Sequence, residues 1–214
     1  MAYTLLAVTG DGVVLGAYHL RRLGLASEEA APALGAFRRF AAEASPGVFA
    51  LLLHGSSLSV ESRPGTRLRD GMPARVAPSP VTDRAGPLPK PASPGPYEAV
   101  RQNGIATLLA SLDGEEIYEA CSAAVLGWDG RRLVCVPDDR PRVWSTAEAA
   151  VREHLPVVER PILLRSRMPI LLVNAVKGTC SLAAPRRDPF PTRAREEIER
   201  LFRSLTVGSG ELSL

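Results

Sequence analysis

Only two lysines occur in this chain of 214 residues, Lys90 and Lys177, against 24 arginines. A reaction that needs a primary amine therefore has two candidates, because arginine stays protonated and forms no imine with an aldehyde at neutral pH. Lys90 opens the stretch KPASPGPYEAVRQNGIATLLASLDGEEIYEACSAA, residues 90–124, around which the rest of the chain is organised. Near its end Glu119 sits in a short apolar, strand-like run. A lone carboxylate in so apolar a run calls for a partner, since an unpaired buried charge is costly.

The elements that must position these groups are legible in part. Residues 3–8 are apolar and β-leaning, Gly10-Asp11-Gly12 is a turn signal, and Val13-Val14-Leu15 completes a hairpin. Ser27 with Glu28 and Glu29 marks the approach to a helix, the acids favouring its positive end. Leu34, Phe37, Phe40 and Ala41 follow at helical spacing, predicting about three turns that start near Pro32 and run to Ala44. Strands at 48–53 and 58–61 flank the turn His54-Gly55-Ser56-Ser57. Prolines then crowd residues 64–96. There the pattern predicts an edge strand at 72–81 and an interdomain linker at 82–89. Residues 97–109 read as a helix through Val100, Ile105, Leu108 and Leu109. Strands follow at 117–119, 123–128 and 133–136, the last two joined at Asp129-Gly130. Ser145 or Thr146 caps a helix through His154, and apolar strands lie at 157–164 and 170–173. The final helix is capped by Thr192, carries Ile198, Leu201, Phe202 and Leu205 as one stripe, and ends at Gly208. Strands and helices mix without strict alternation, which predicts α+β layers rather than a doubly wound sheet.

Composition bounds the function. Hydrophobic residues at 45% and charged residues at 23% are ordinary for a soluble globular protein. The net charge of +3 and the pI of about 9.0 come from arginines that alternate with acids, and aromatic platforms and a helix-turn-helix signal are both missing, so nucleic acid is not an expected partner. Cys121, Cys135 and Cys180 lack metal-ligand spacing and read as reduced thiols of a cytosolic protein. No signal peptide and no apolar run of membrane-spanning length is expected.

Four places resemble the class IV aminotransferases, a pyridoxal phosphate family that includes branched-chain and D-amino acid aminotransferases and aminodeoxychorismate lyase. His19-Leu20-Arg21-Arg22-Leu23 is similar to the family's H-x-x-R-L, whose arginine contacts the cofactor phosphate. That implies the role for Arg22, whose planar donor fork suits a phosphate. A solvated arginine on a helix is the alternative. Lys90, seven residues before Tyr97, resembles the family's lysine that binds the cofactor aldehyde and later moves the proton. The alternative is a solvated linker lysine among prolines. Tyr118-Glu119-Ala120-Cys121-Ser122-Ala123-Ala124-Val125 resembles the strand E-x-x-x-x-N-[LV]-F, which implies that Glu119 pairs with the pyridine nitrogen and keeps it protonated. Val173-Asn174-Ala175-Val176-Lys177-Gly178 is similar to N-[SA]-x-x-G of aminodeoxychorismate lyases. Ser145-Thr146 sits where the family has G-I-T on the phosphate, and Glu159-Arg160-Pro161 matches its Glu-Arg strand.

The resemblance runs over most of residues 3–205, with departures. The family's asparagine falls on Ala124 and its phenylalanine on Leu126. Ala2-Tyr3-Thr4 stands where F-E-T would be, which implies either a late-assigned start or a trimmed relative whose pocket differs. The resemblance implies a two-domain α+β protein of the D-amino acid aminotransferase type, with a small domain at 1–80, a linker at 81–89 and a larger domain at 90–214. It implies a homodimer acting on an amino acid or an aminated chorismate-type substrate, and the cytoplasm is the expected compartment. Lys90 is its catalytic residue, and Arg22, Lys90, Tyr97, Glu119, Ser145, Thr146, Asn174 and Ala175 hold the cofactor. No metal is expected. The rival reading is a non-catalytic relative that keeps the fold to bind a ligand or a partner.

Overall fold

The computed structural model describes residues 2–25, 31–65, 67–81, 85–90, 95–183 and 187–208. Strand β1 (Ala2–Thr9) alternates, turning Thr4, Leu6 and Val8 inward, and folds back into β2 (Gly12–Val13). Gly12 makes that turn at φ 128, with the carbonyl of Val207 against it. Helix α1 (Gly16–Leu23) ends on Gly24 in the left-handed region, and α2 (Ala31–Glu43) turns Ala33, Leu34, Phe37 and Ala41 to the core. Strands β3 (Gly47–His54) and β4 (Ser57–Arg63) complete an antiparallel sheet of order β2-β1-β3-β4. Leu6, Leu20, Phe37 and Leu51, all fully buried, form the core between this sheet and its helices. The expected helix signal at Ser27, Glu28 and Glu29 lies outside the described residues.

Strand β5 (Met72–Pro78) and the two-residue β6 (Pro87–Leu88) lead to α3 (Gly95–Val100). Then come β7 (Ala106–Ala110), β8 (Glu116–Ala120), β9 (Ala124–Trp128), β10 (Leu133–Cys135) and β11 (Arg142–Val143). Helix α4 (Thr146–His154), β12 (Val157–Glu159), β13 (Ile162–Leu163), β14 (Ile170–Asn174), β15 (Gly178–Ala183) and α5 (Thr192–Ser204) finish the chain. Nine of these strands make one sheet in the order β12-β10-β9-β14-β15-β5-β7-β8-β13, and β6 pairs with β11 beside it. Its two outermost strands, β12 and β13, are separated by only Arg160 and Pro161, so the sheet curls back on itself.

Several expectations are corrected. The segment 72–81 is no edge: β5 lies inside the large sheet, parallel to β7 and to β15. Pro73 and Pro78 sit near its ends, where a missing N–H costs little, and the interior from Ala74 to Ala77 pairs with β7. The helix at 97–109 stops at Val100. Gly104 takes φ 75, and Ala106–Ala110 becomes a strand buried at every position. A strand buried on both faces is apolar throughout, and over five residues this cannot be told from a helix by periodicity. The strand at 157–164 breaks at Arg160-Pro161 into the two strands that close the sheet. Strand β15 is not signalled by the sequence pattern, and Pro191 rather than Thr192 is the N-cap of α5. Ser145 caps α4 as expected, its hydroxyl accepting from the Glu148 amide.

Candidate functional site

A cleft of about 480 Å³ opens between the small sheet and the large one. All eight residues expected to hold a cofactor line it: Arg22, Lys90, Tyr97, Glu119, Ser145, Thr146, Asn174 and Ala175. Tyr3, Arg63, Arg101, Cys121 and Lys177 line it as well. Of these only Lys177 has a signal in the sequence, its rarity. Leu126 is in the core, while Ala124 belongs to that core and also lines the cleft.

Lys90 follows β6 and is partly buried, its Nζ 5.1 Å from the centre of the Tyr3 ring. Burial, then the charges of Arg22 and Lys177, bring its ammonium from 10.5 down to about 7. An amine in that range exists in both forms at neutral pH, as a nucleophile or proton carrier requires.

Glu119 is 6% exposed, held by β8 in the wall of the cleft. Tyr97 Oη and the Val143 amide each donate to its Oε1 at 3.2 Å. Both bonds run to the same oxygen, and among the described residues none donates to Oε2, which is left for a donor from the cleft. Burial is the largest influence on the carboxyl, and it rises from 4.5 to about 8 despite those donors. It would take a cation or a charged donor to keep this group ionised.

Arg22 stands at the C-terminal end of α1. Its Nη2 donates to the carbonyl of Trp144, its Cζ lies 5.7 Å from the centre of the Trp144 ring, and its Nε is buried without a partner among the described residues. Burial lowers it to about 10, opposed by Glu119, so it stays charged. His19, one turn earlier, is fully buried with Nδ1 2.7 Å from Thr4 Oγ1. Burial, then Arg22 and Lys90, push it down to about 3, which keeps the ring neutral. Ser145 and Thr146 bring the N-terminus of α4 to the cleft, and Thr146 is buried. That end is pinned by an ion pair between Arg142 and Glu148, 2.8 Å apart and each 4% exposed. Asn174 builds the wall: its Oδ1 accepts from the amides of Val176 and Lys177 at 2.8 and 2.9 Å, and its Nδ2 donates to the Ser122 carbonyl at 2.6 Å. Glu159 lies away from the cleft, paired with Arg152.

No family model and no curated protein matches the sequence. Solved structures do. A hypothetical aminotransferase from Mycobacterium tuberculosis, in its apo form, is 18% identical with a TM-score of 0.64, covering 96% of this chain and 88% of its own. The PLP-bound form of a hypothetical aminotransferase from the same organism superposes at 0.63 over the same shares. A 4-amino-4-deoxychorismate lyase from Pseudomonas aeruginosa is 17% identical with a TM-score of 0.63, covering 95% of this chain and 90% of its own. The chain has the fold shared by class IV aminotransferases and aminodeoxychorismate lyases.

Proposed function

We propose that this protein is a pyridoxal phosphate-dependent class IV enzyme, an aminotransferase or an aminodeoxychorismate lyase-like enzyme, acting on an amino acid or an aminated chorismate-type substrate. The observation that carries the reading is one cleft that holds a partly buried lysine near neutrality, a buried carboxylate with one oxygen unused among the described residues, and a partly buried arginine whose Nε has no partner among them.

These three groups fit the cofactor. Arg22 Nε and the N-terminus of α4 at Ser145 and Thr146 offer donors to a phosphate. Glu119 Oε2 would accept from a protonated ring nitrogen, which would keep the carboxyl ionised. Bound there, pyridoxal phosphate would supply an aldehyde for amine exchange and a ring that takes up electrons when the substrate's α-proton leaves. Lys90, present in part as the free amine, would hold the aldehyde and carry that proton. Tyr97 orients the Glu119 carboxylate by its bond to Oε1, and Arg22 fixes the far end. The pair Asn174-Ala175 favours the lyase chemistry within this reading. A homodimer belongs to it too, and light scattering checks that.

Ala124 favours a second reading, a ligand-binding relative without turnover, because the side-chain amide expected there is missing from the cleft wall.

Adding pyridoxal phosphate to the purified protein should produce an absorbance band at the visible edge. Borohydride reduction and peptide mapping should then find a pyridoxyl group on Lys90. Absence of the band, or an adduct on Lys177 alone, defeats the reading. Binding without turnover of any amino acid in a panel supports the second.

A further inference from the structure

Lys177 is the lysine that the chemistry above leaves unused. It sits in the turn between β14 and β15, and the turn is fixed from two sides. Its amide donates to Asn174 Oδ1 at 2.9 Å, and its carbonyl accepts from the Leu68 amide at 3.1 Å. The side chain is partly buried on the cleft wall, yet its ammonium makes no hydrogen bond or ion pair among the described residues. Burial, then the charge of Arg101, holds it below the usual lysine range.

Arg101 lies just past α3 on the same cleft. Its contact with Glu98 is loose, 3.6 Å between exposed groups, and so worth little. Arg63 meets Glu61 at 2.7 Å in a closer pair, also between exposed groups, and Arg22 faces Trp144. Arg22, Lys90, Arg101 and Lys177 all line this cleft, and the charges of Arg22 and Lys177 both bear on Lys90. A partly buried ammonium beside a guanidinium, with no carboxylate of its own, costs free energy that an anion in the cleft would offset. Leu5, Val48 and Val176 line the same space and suit a carbon skeleton.

We propose that Lys177, with Arg101 on the same cleft wall, anchors a carboxylate of the substrate, so that the substrate is an organic acid anion held in the cleft that contains Lys90. This deepens the cofactor reading, on which Lys90's role rests, but the anchor itself belongs to Lys177 and Arg101.

The test is calorimetric titration with succinate and, as an uncharged analogue of the same shape, succinamide. It is run on protein incubated with pyridoxal phosphate, in a buffer free of phosphate so that no second anion competes for Lys177 and Arg101. Succinate should bind and succinamide should not. Lys177→Gln and Arg101→Gln should each weaken succinate by roughly tenfold, the loss of one charge-assisted contact. Lys177→Arg should restore most of it, which a merely structural role would not explain. Equal affinity for succinate in wild type and in both glutamine variants overturns the anchor, as does equal binding of succinamide. Absorbance of the same samples reports the cofactor independently. Lys177-dependent succinate binding without a visible band upholds the anchor and rejects the cofactor, and a band with Lys177-independent binding does the reverse.

Discussion

Glu119 carries the sharpest consequence at the scale of a residue. Its carboxyl titrates at about 8 in the folded protein against 4.5 for an ordinary glutamate. Between those values the folded protein holds a proton that the unfolded chain releases. The group's contribution to stability is thus complete below pH 4.5 and drains away as pH rises through about 8. Gln cannot ionise, and its amide oxygen still accepts from Val143 and Tyr97. In cofactor-free protein, Glu119→Gln should match wild type at about pH 5 and exceed it by more than about 1 kcal/mol at about pH 8.5, since each tenfold difference in proton affinity between the folded and unfolded states is worth roughly 1.4 kcal/mol. Urea denaturation at the two pH values checks this, and a variant no more stable at the higher pH shows that the carboxylate is not buried at a cost. Lys90 and Glu119 were legible from sequence because of scarcity: one of two lysines, and one carboxylate in an apolar run. Arg101 and Arg63 were not, because an arginine among 24 carries no local mark of which way it faces.

At the scale of elements, the phosphate end depends on how α4 is pinned. Glu148 is 3% exposed and takes Arg142 on one oxygen and Arg152 on the other. Removing one member of a buried pair leaves its partner uncompensated, which costs about 3–5 kcal/mol. Glu148→Ala should lie near the lower figure, because Asp138 still meets Arg142 at 2.8 Å. It should also weaken binding of pyridoxal phosphate, since Ser145 and Thr146 start the same helix. Denaturant titration and absorbance titration read the two effects, and full stability in the variant refutes the pinning. Elements with a local signature were read correctly: the hairpin at Gly12, the capped α4, and the α5 stripe in which Ile198 and Phe202 are buried. Those read wrongly depend on distant partners. Nothing within residues 106–110 says strand until β5 and β8 are set on either side of them, and nothing near Pro161 says that the chain crosses to the opposite edge of the sheet.

For the whole molecule, the large sheet is assembled from both halves of the chain. Strand β5, on the N-terminal side of the expected linker, pairs with β7 on one side and β15 on the other, Met72 standing opposite Leu182. The N-terminal hairpin is tied to the C-terminal side as well, the amides of Val13 and Val207 each donating a hydrogen bond to the other's carbonyl at 3.0 and 3.1 Å. A chain truncated after Lys177 loses β15, α5 and that bridge together. It should show no cooperative unfolding transition and should bind a hydrophobic dye, whereas a sharp transition would mean that the remainder folds alone. The pairing of Met72 with Leu182 also sets a schedule for biosynthesis. At roughly 5–20 residues per second, the nascent chain presents β5 some 5–20 s before its second neighbour leaves the ribosome. For that interval β5 is a bare template for any other strand in the cell. Pro73, Arg75 and Pro78 are residue types that blunt exposed edges, and of the three only Pro73 is later paired with β15.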